Sequence, residues 1–249
     1  MLRLDGLTKH FGTLVAVADV TCTIEPGTIF ALIGPNGSGK TTLMRMMAGL
    51  LQPTAGDVYY GAASMRSAPL VAKYRLGYVP DNPETWGRMT GHEFLQFTAA
   101  LYDVPLAERS RQIARLVPRF GLQDIEHTYF EQYSRGNRQK FAVLAALLHT
   151  PDVLLIDEPI VGLDPDSVVV LETLLREFAA GGGSVVMTTH TLAVADRVAN
   201  QVGILERGVL RAVDTVAALR AKAGLGEEAD LTDIYRQVVT RPAYISVAP

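Results

Sequence analysis

Gly34-Pro35-Asn36-Gly37-Ser38-Gly39-Lys40-Thr41 is the stretch of this sequence that leaves the fewest folds open. It fills every fixed position of the pattern G-x-x-x-x-G-K-[ST]. Average residue usage would produce such a match in a chain of 249 residues on the order of once in a hundred times. The residues before it, 29 to 33, form a continuous apolar run, which reads as a strand buried on both faces. After it, Leu43, Met46, Met47 and Leu50 recur at helical spacing. Strand, glycine loop and helix together make half of a parallel α/β unit. Glycines let successive backbone N–H groups turn inward onto phosphate oxygens without side-chain clash. The helix start adds its positive end. Lys40 is therefore expected to reach the β and γ phosphates of a nucleotide, and the Thr41 hydroxyl to hold Mg²⁺.

A second apolar strand pattern, Val153 to Ile156, ends in Asp157-Glu158-Pro159. In a parallel sheet the ligand crevice lies at the carboxyl ends of the strands, the edge at which the glycine loop also leaves. Alone, two acids after a strand would read as a solvated turn. Beside a phosphate loop, Asp157 is expected to hold Mg²⁺ through water, and Glu158 to polarise a water attacking the γ-phosphorus.

The rest of the chain sorts around these two points. Early residues read as short strands, with Glu25-Pro26-Gly27 as a turn. Residues 88 to 150 read mainly as helix. Thr90 and Glu93 have capping-box spacing, with Phe94, Phe97 and Leu101 on the following face. Ile113, Leu116, Val117 and Phe120 make another apolar stripe, closed by Gly121. Short strands return at 185–187 and 202–205, so a helical insert divides an α/β core. Leu231, Ile234, Tyr235 and Val238 share one helical face, expected to pack on the same domain. Met44, Met46 and Met47 are expected as core filler and Cys22 as a small buried hydrophobe.

Composition closes several other routes. Hydrophobic residues at 48% and charged residues at 20% exclude wholesale disorder. A net charge of -3 argues against coating nucleic acid, so no nucleic-acid partner is expected. A single cysteine excludes an intramolecular disulfide and a cysteine-based zinc site. The longest apolar run, 141 to 148, falls short of the roughly 18 residues of a membrane-spanning helix. The opening MLRLDGL lacks a secretion-signal pattern. A reduced, cytoplasmic protein is expected, reaching a membrane only through something else.

Between the two motifs lies Tyr133-Ser134-Arg135-Gly136-Asn137-Arg138-Gln139-Lys140, followed by an apolar helix. Here the chain resembles the ATP-binding-cassette (ABC) ATPases. This segment is similar to their signature, usually Leu-Ser-Gly-Gly-Gln, in the Tyr-Ser-Arg-Gly form of many bacterial exporter subunits. Gly162-Leu163-Asp164-Pro165 is similar to the family's D-loop, and Thr188-Thr189-His190 to its switch histidine. The resemblance covers nearly the whole chain and keeps the family's motif order.

It implies a P-loop NTPase core of ABC type, with an N-terminal antiparallel β subdomain and an inserted helical subdomain. Residues 1–225 would form the nucleotide-binding domain, with the insert at about 88–150, and residues 226–249 a helical tail. Implied ligands are ATP and Mg²⁺. Implied partners are a second cassette, identical or similar, and an integral membrane permease at the inner face of the cell membrane. ATP would lie between two subunits, each site pairing one phosphate loop, residues 34–41 with Thr42, with the partner's signature. Ser134 reads as an N-cap, with a helix from about Arg138. Ser134, Arg135, Gly136 and Asn137 would serve the partner's ATP, Asp164 would bridge the subunits, and His190 would contact the γ-phosphate. Phe11 stands where an aromatic often stacks on adenine; a plain core contact is its other reading.

Asp81 stands where the family's Q-loop usually has Gln. A carboxylate can bind Mg²⁺ or a bridging water but cannot donate as an amide does; a turn role before Asn82-Pro83 is equally open. Arg135 and Asn137 replace the usual Gly and Gln of the signature. The implied activity is ATP hydrolysis driving a membrane transporter, of exporter type. The rival reading is a non-transport ABC ATPase acting on nucleic acid or the ribosome.

Overall fold

The computed structural model describes residues 1–83 and 87–240. Residues 84–86, just after Asn82-Pro83, and the end of the tail at 241–249 lie outside the described residues.

In chain order the elements are β1 (Leu2–Phe11), β2 (Leu14–Ile24), β3 (Ile29–Ile33), α1 (Lys40–Met47), β4 (Ala55–Tyr60), β5 (Ala63–Ser64), α2 (Pro69–Tyr74) and β6 (Leu76–Val79). The inserted helices are α3 (Gly91–Leu101), α4 (Leu106–Leu116) and α5 (Arg135–Leu147). Then come β7 (Val153–Asp157), α6 (Pro165–Ala180), β8 (Ser184–Thr189), α7 (Leu192–Val198), β9 (Gln201–Glu206), β10 (Val209–Asp214), α8 (Val216–Lys222) and α9 (Leu231–Thr240). Strands β9, β3, β8, β7 and β6 run parallel in that spatial order, with β10 antiparallel at one edge. A separate antiparallel sheet has the order β2-β1-β4-β5.

The parallel strands are apolar on both faces because both faces are covered. Side chains alternate across each strand. Phe30, Leu32, Val153, Leu155 and Val186 face a core shared with α1 and the antiparallel sheet, including Met44, Met46, Met47 and Cys22. Ala31, Ile33, Leu154, Ile156, Val185 and Met187 face the opposite core, built with α3, α4, α5, α6 and α9. The phosphate-loop helix is thus clamped between two sheets. The α9 residues Leu231, Ile234 and Val238 are buried in this second core.

Two expected faces differ from the structure. Leu50 is 61% exposed, because α1 stops at Met47 and the chain turns at Gly49, where φ is +64°. In α3 the capping box of Thr90 and Glu93 forms as expected. Phe94 packs partly buried against the core as expected, but the buried positions are Gly91, Leu95 and Ala99, while Phe97 and Leu101 are exposed. The ring of Phe141 on α5 lies so close to Gly91 that no Cβ would fit there, and this contact sets the rotation of α3. The stripe from Ile113 to Phe120 is buried as read and ends at Gly121.

His149 couples this packing to pH. Its ring stacks on Tyr102 at 3.7 Å between centroids, and Nε2 lies 3.0 Å from the Leu76 carbonyl oxygen. Nδ1 is buried with no partner among the described residues. A proton there would be a charge without an acceptor, so burial pushes the imidazole down to about 4. Its folded value lies below the unfolded value of about 6.5, so the unfolded chain takes up the proton first. Stability is full above about pH 6.5 and is lost as pH falls toward 4. From pH 7.5 to 5 this group should remove about 2 kcal/mol. Urea unfolding of wild type and His149→Gln at both pH values measures it; an equal pH dependence in the two proteins would refute the assignment.

Candidate nucleotide site

Register brings the site together. Ile33 at the end of β3 pairs with Thr189 on β8, and Thr188 pairs with Asp157 at the end of β7. The residues that follow, Gly34, His190 and Glu158, therefore leave the sheet at one edge. Here a cleft of about 760 Å³ opens, lined by residues 36–42 of the glycine loop and helix start and by Glu158 and His190. Phe11, Asp81 and Arg135 also line it.

The loop is braced from both sides. The Ser38 N–H donates to the Pro35 carbonyl at 3.1 Å, and the Gly208 N–H donates to the Ser38 carbonyl at 2.8 Å. Gly39 has φ of +105°, and a Cβ there would lie 2.4 Å from the Ala16 carbonyl oxygen. Only glycine meets both demands. As the N-cap of α1, Gly39 offers no side chain to the first-turn N–H groups, so these are left for a ligand.

Lys40 is 7% exposed, and its ammonium donates to the carbonyls of Gly34 at 2.7 Å and Pro35 at 3.0 Å. Desolvation pulls its pKa down, while the charges of Glu158 and Asp157 pull it back up. Ser38 Oγ is buried with no partner among the described residues. A buried ammonium held only by loop carbonyls, an orphan hydroxyl and uncapped N–H groups suit a phosphate chain.

The carboxylates are positioned by Thr188, which is fully buried. Its hydroxyl donates to Asp157 Oδ1 and accepts from the Glu158 N–H at 3.1 Å. Asp157 is 2% exposed. Glu158 adopts φ of 51°, a left-handed conformation unusual for a side-chain-bearing residue, which turns it from the strand direction into the cleft. His190 Nδ1 lies 2.9 Å from Glu158 Oε2, though not aligned as a hydrogen bond. Thr41 and Asp157 offer the hard oxygen donors that Mg²⁺ takes.

Phe11 ends β1 at the cleft with 49% exposure, so it is no core residue; the Lys9 ammonium sits 5.2 Å from its ring centre. The signature segment is placed differently. Ser134 caps α5 by accepting from the Asn137 N–H at 3.2 Å, and the helix begins at Arg135, three residues before the expected start. The cap itself supplies the reason, since its hydroxyl engages the first turn. Gly136 packs against Gly162. Of these signature residues, Arg135 lines the cleft, while Ser134, Gly136 and Asn137 do not. Asp164 caps α6, accepting from the Ser167 N–H at 2.9 Å and hydroxyl at 2.7 Å and from the Lys140 ammonium at 3.0 Å. These contacts, Ser167 foremost, hold its carboxyl well below the usual range.

Sequence reading missed the bracing turn Arg207-Gly208 and the brace role of Thr188. A polar Thr188-Thr189 pair at the end of an apolar strand was the available signal for the second. The turn at 207–208 had none, since its contact with the glycine loop is between backbones far apart in the chain.

The family model described as ABC transporter matches residues 17–161. The chain is 31% identical over 243 residues to the ABC-type transporter ATP-binding protein EcsA of Bacillus subtilis (strain 168), covering 98% of each. It is 28% identical over 224 residues to the linearmycin resistance ATP-binding protein LnrL of the same organism, covering 90% of this chain and 72% of LnrL. A solved structure of an ATP binding subunit of an ABC transporter superposes with a TM-score of 0.91 at 29% identity, covering 96% of this chain and 99% of that one.

Proposed function

This chain belongs to the ABC transporter family, and from that premise we propose how its site works and what it works with. The protein is an ATP-binding and ATP-hydrolysing subunit of a membrane transporter. Backbone N–H groups of residues 37–42 and the Lys40 ammonium bind the phosphates of ATP, with Lys40 exchanging loop carbonyls for β and γ oxygens. Phe11 stacks on the base at the mouth of the cleft. Thr41 and Asp157 would hold Mg²⁺, which would neutralise phosphate charge when bound. Glu158 takes the proton of a water whose oxygen attacks the γ-phosphorus, and ADP leaves. His190, beside Glu158, orients it and donates toward the γ-phosphate.

The working unit is a pair of cassettes with ATP between them. One observation carries this reading: Ser134, Gly136 and Asn137 cap and pack the start of α5 without themselves lining the chain's own cleft, which Arg135 alone of these four residues reaches. That N-terminus suits the γ-phosphate held by a second cassette. Hydrolysis then removes the shared contact and lets the pair part. Residues 81–90 and the helical insert meet a permease, which holds the pair at the inner face of the membrane. The resistance role in the name of LnrL, with the Tyr-Ser-Arg-Gly segment, favours export. The same likenesses favour transport over action on nucleic acid or the ribosome.

The test is the protein-concentration dependence of ATP hydrolysis. A paired site predicts a rate per subunit that rises with concentration and then levels. A rate per subunit that is flat down to concentrations where sedimentation shows only single chains would overturn the pairing. Export is tested in inside-out vesicles carrying the chain with its permease, where ATP should drive cargo inward.

A further inference from the structure

Asp81 and Arg135 both depart from the family's usual residues, and in the fold they meet. Arg135 Nη2 donates to Asp81 Oδ1 at 2.8 Å and to the Asp81 carbonyl at 3.2 Å. They are 54 positions apart, one after the end of β6 and the other in the first turn of α5. The pair therefore straps the strand end of the α/β core to the start of the signature helix. Both residues line the nucleotide cleft and both are about half exposed, at 49% for Asp81 and 48% for Arg135. An exposed ion pair of this kind is weak, and an ATP γ-phosphate offers a guanidinium a stronger anion.

We propose that Asp81 and Arg135 form an intrachain latch that opens when Arg135 exchanges the Asp81 carboxylate for the γ-phosphate of ATP held by the partner cassette. The inference rests on the paired reading above. Arg135 is placed for the exchange, because it begins α5 directly after the capping Ser134, and its aliphatic stem runs past Gly162 of the segment leading to Asp164. Opening leaves the Asp81 carboxylate unpaired at the cleft, where it can take up Mg²⁺ or a bridging water. The two departures thus act together: Asp81 withholds Arg135 until ATP on the partner competes for it, and the same event releases Asp81.

The experiment measures ATP-dependent dimerisation by sedimentation of the full chain with Glu158→Gln, which is expected to slow turnover. Asp81→Asn removes the competing charge and keeps the shape. It should tighten the dimer about tenfold, two latches being released per dimer. Arg135→Met should weaken the dimer at least as much, and adding Asp81→Asn to it should then change nothing. Three results would overturn the latch: no tightening by Asp81→Asn, equal tightening with and without Arg135, or tightening of ATP binding to single chains, which would make Arg135 a contact to its own nucleotide. If the Glu158→Gln parent itself stays monomeric with saturating ATP, the paired reading fails and the latch with it. That failure is recognisable because no variant dimerises.

Discussion

Glu158→Gln is expected to lower ATP turnover about 10³-fold while ATP still binds. The substitution keeps the length and hydrogen-bonding reach of the side chain and removes its charge and its ability to take a proton. The phosphate cradle keeps its contacts, since Lys40 and residues 36–42 come from the glycine loop and α1, and Asp157 still supplies a negative charge near Lys40. The effect amounts to about 4 kcal/mol of transition-state stabilisation. Glu158 is held for this role by two observed features, the left-handed backbone at φ 51° and the N–H bond to the Thr188 hydroxyl. Phosphate release, equilibrium ATP binding and sedimentation together read the outcome: slow turnover, retained binding and an ATP-dependent dimer that persists. Turnover at the wild-type rate would remove Glu158 as the base.

A single methyl group at Gly136 should be nearly as damaging. A Cβ there would lie 2.2 Å from the Gly162 carbonyl oxygen and 3.2 Å from its carbon. The obstacle is backbone, and Gly162 itself sits at φ +84°, so the segment cannot yield by a rotamer change. The start of α5 must move off the loop that leads to Asp164. We expect Gly136→Ala to cost about 1–3 kcal/mol of stability. Hydrolysis should fall about 10²-fold, because a displacement of about 1 Å at a reacting geometry has that effect. ATP binding by the single chain should change little, the cradle being built from residues 34–42. Near-wild-type hydrolysis by Gly136→Ala would show that the position of α5 against Gly162 is unimportant.

Local features were readable directly. Eight consecutive residues carry the phosphate loop, because its chemistry is mostly backbone and its glycines state where the backbone must turn. The capping box at Thr90 and Glu93 and the N-cap at Ser134 likewise need only three residues of helical rise. Buried parallel strands announce themselves by unbroken apolar runs. The face of α3 was legible only in part: Phe94 packs against the core, but Leu95 and Ala99 are buried while Phe97 and Leu101 are exposed, with Phe141 on α5 packed against the start of the helix. Spacing alone does not reveal which side a neighbour will cover.

The strand–loop–helix unit, the pair of acids at the end of β7 and the apolar character of both sheet faces follow from short stretches of chain, since each is set by turn chemistry or by side-chain alternation within a few residues. Strand register between β3, β8 and β7, the Thr188 hydroxyl joining Asp157 to Glu158, the brace of Gly208 on the loop and the meeting of Asp81 with Arg135 come from packing elements distant along the chain. A hydrogen bond or ion pair across such distances depends on how whole layers stack, and no residue pattern within either partner encodes the other's position.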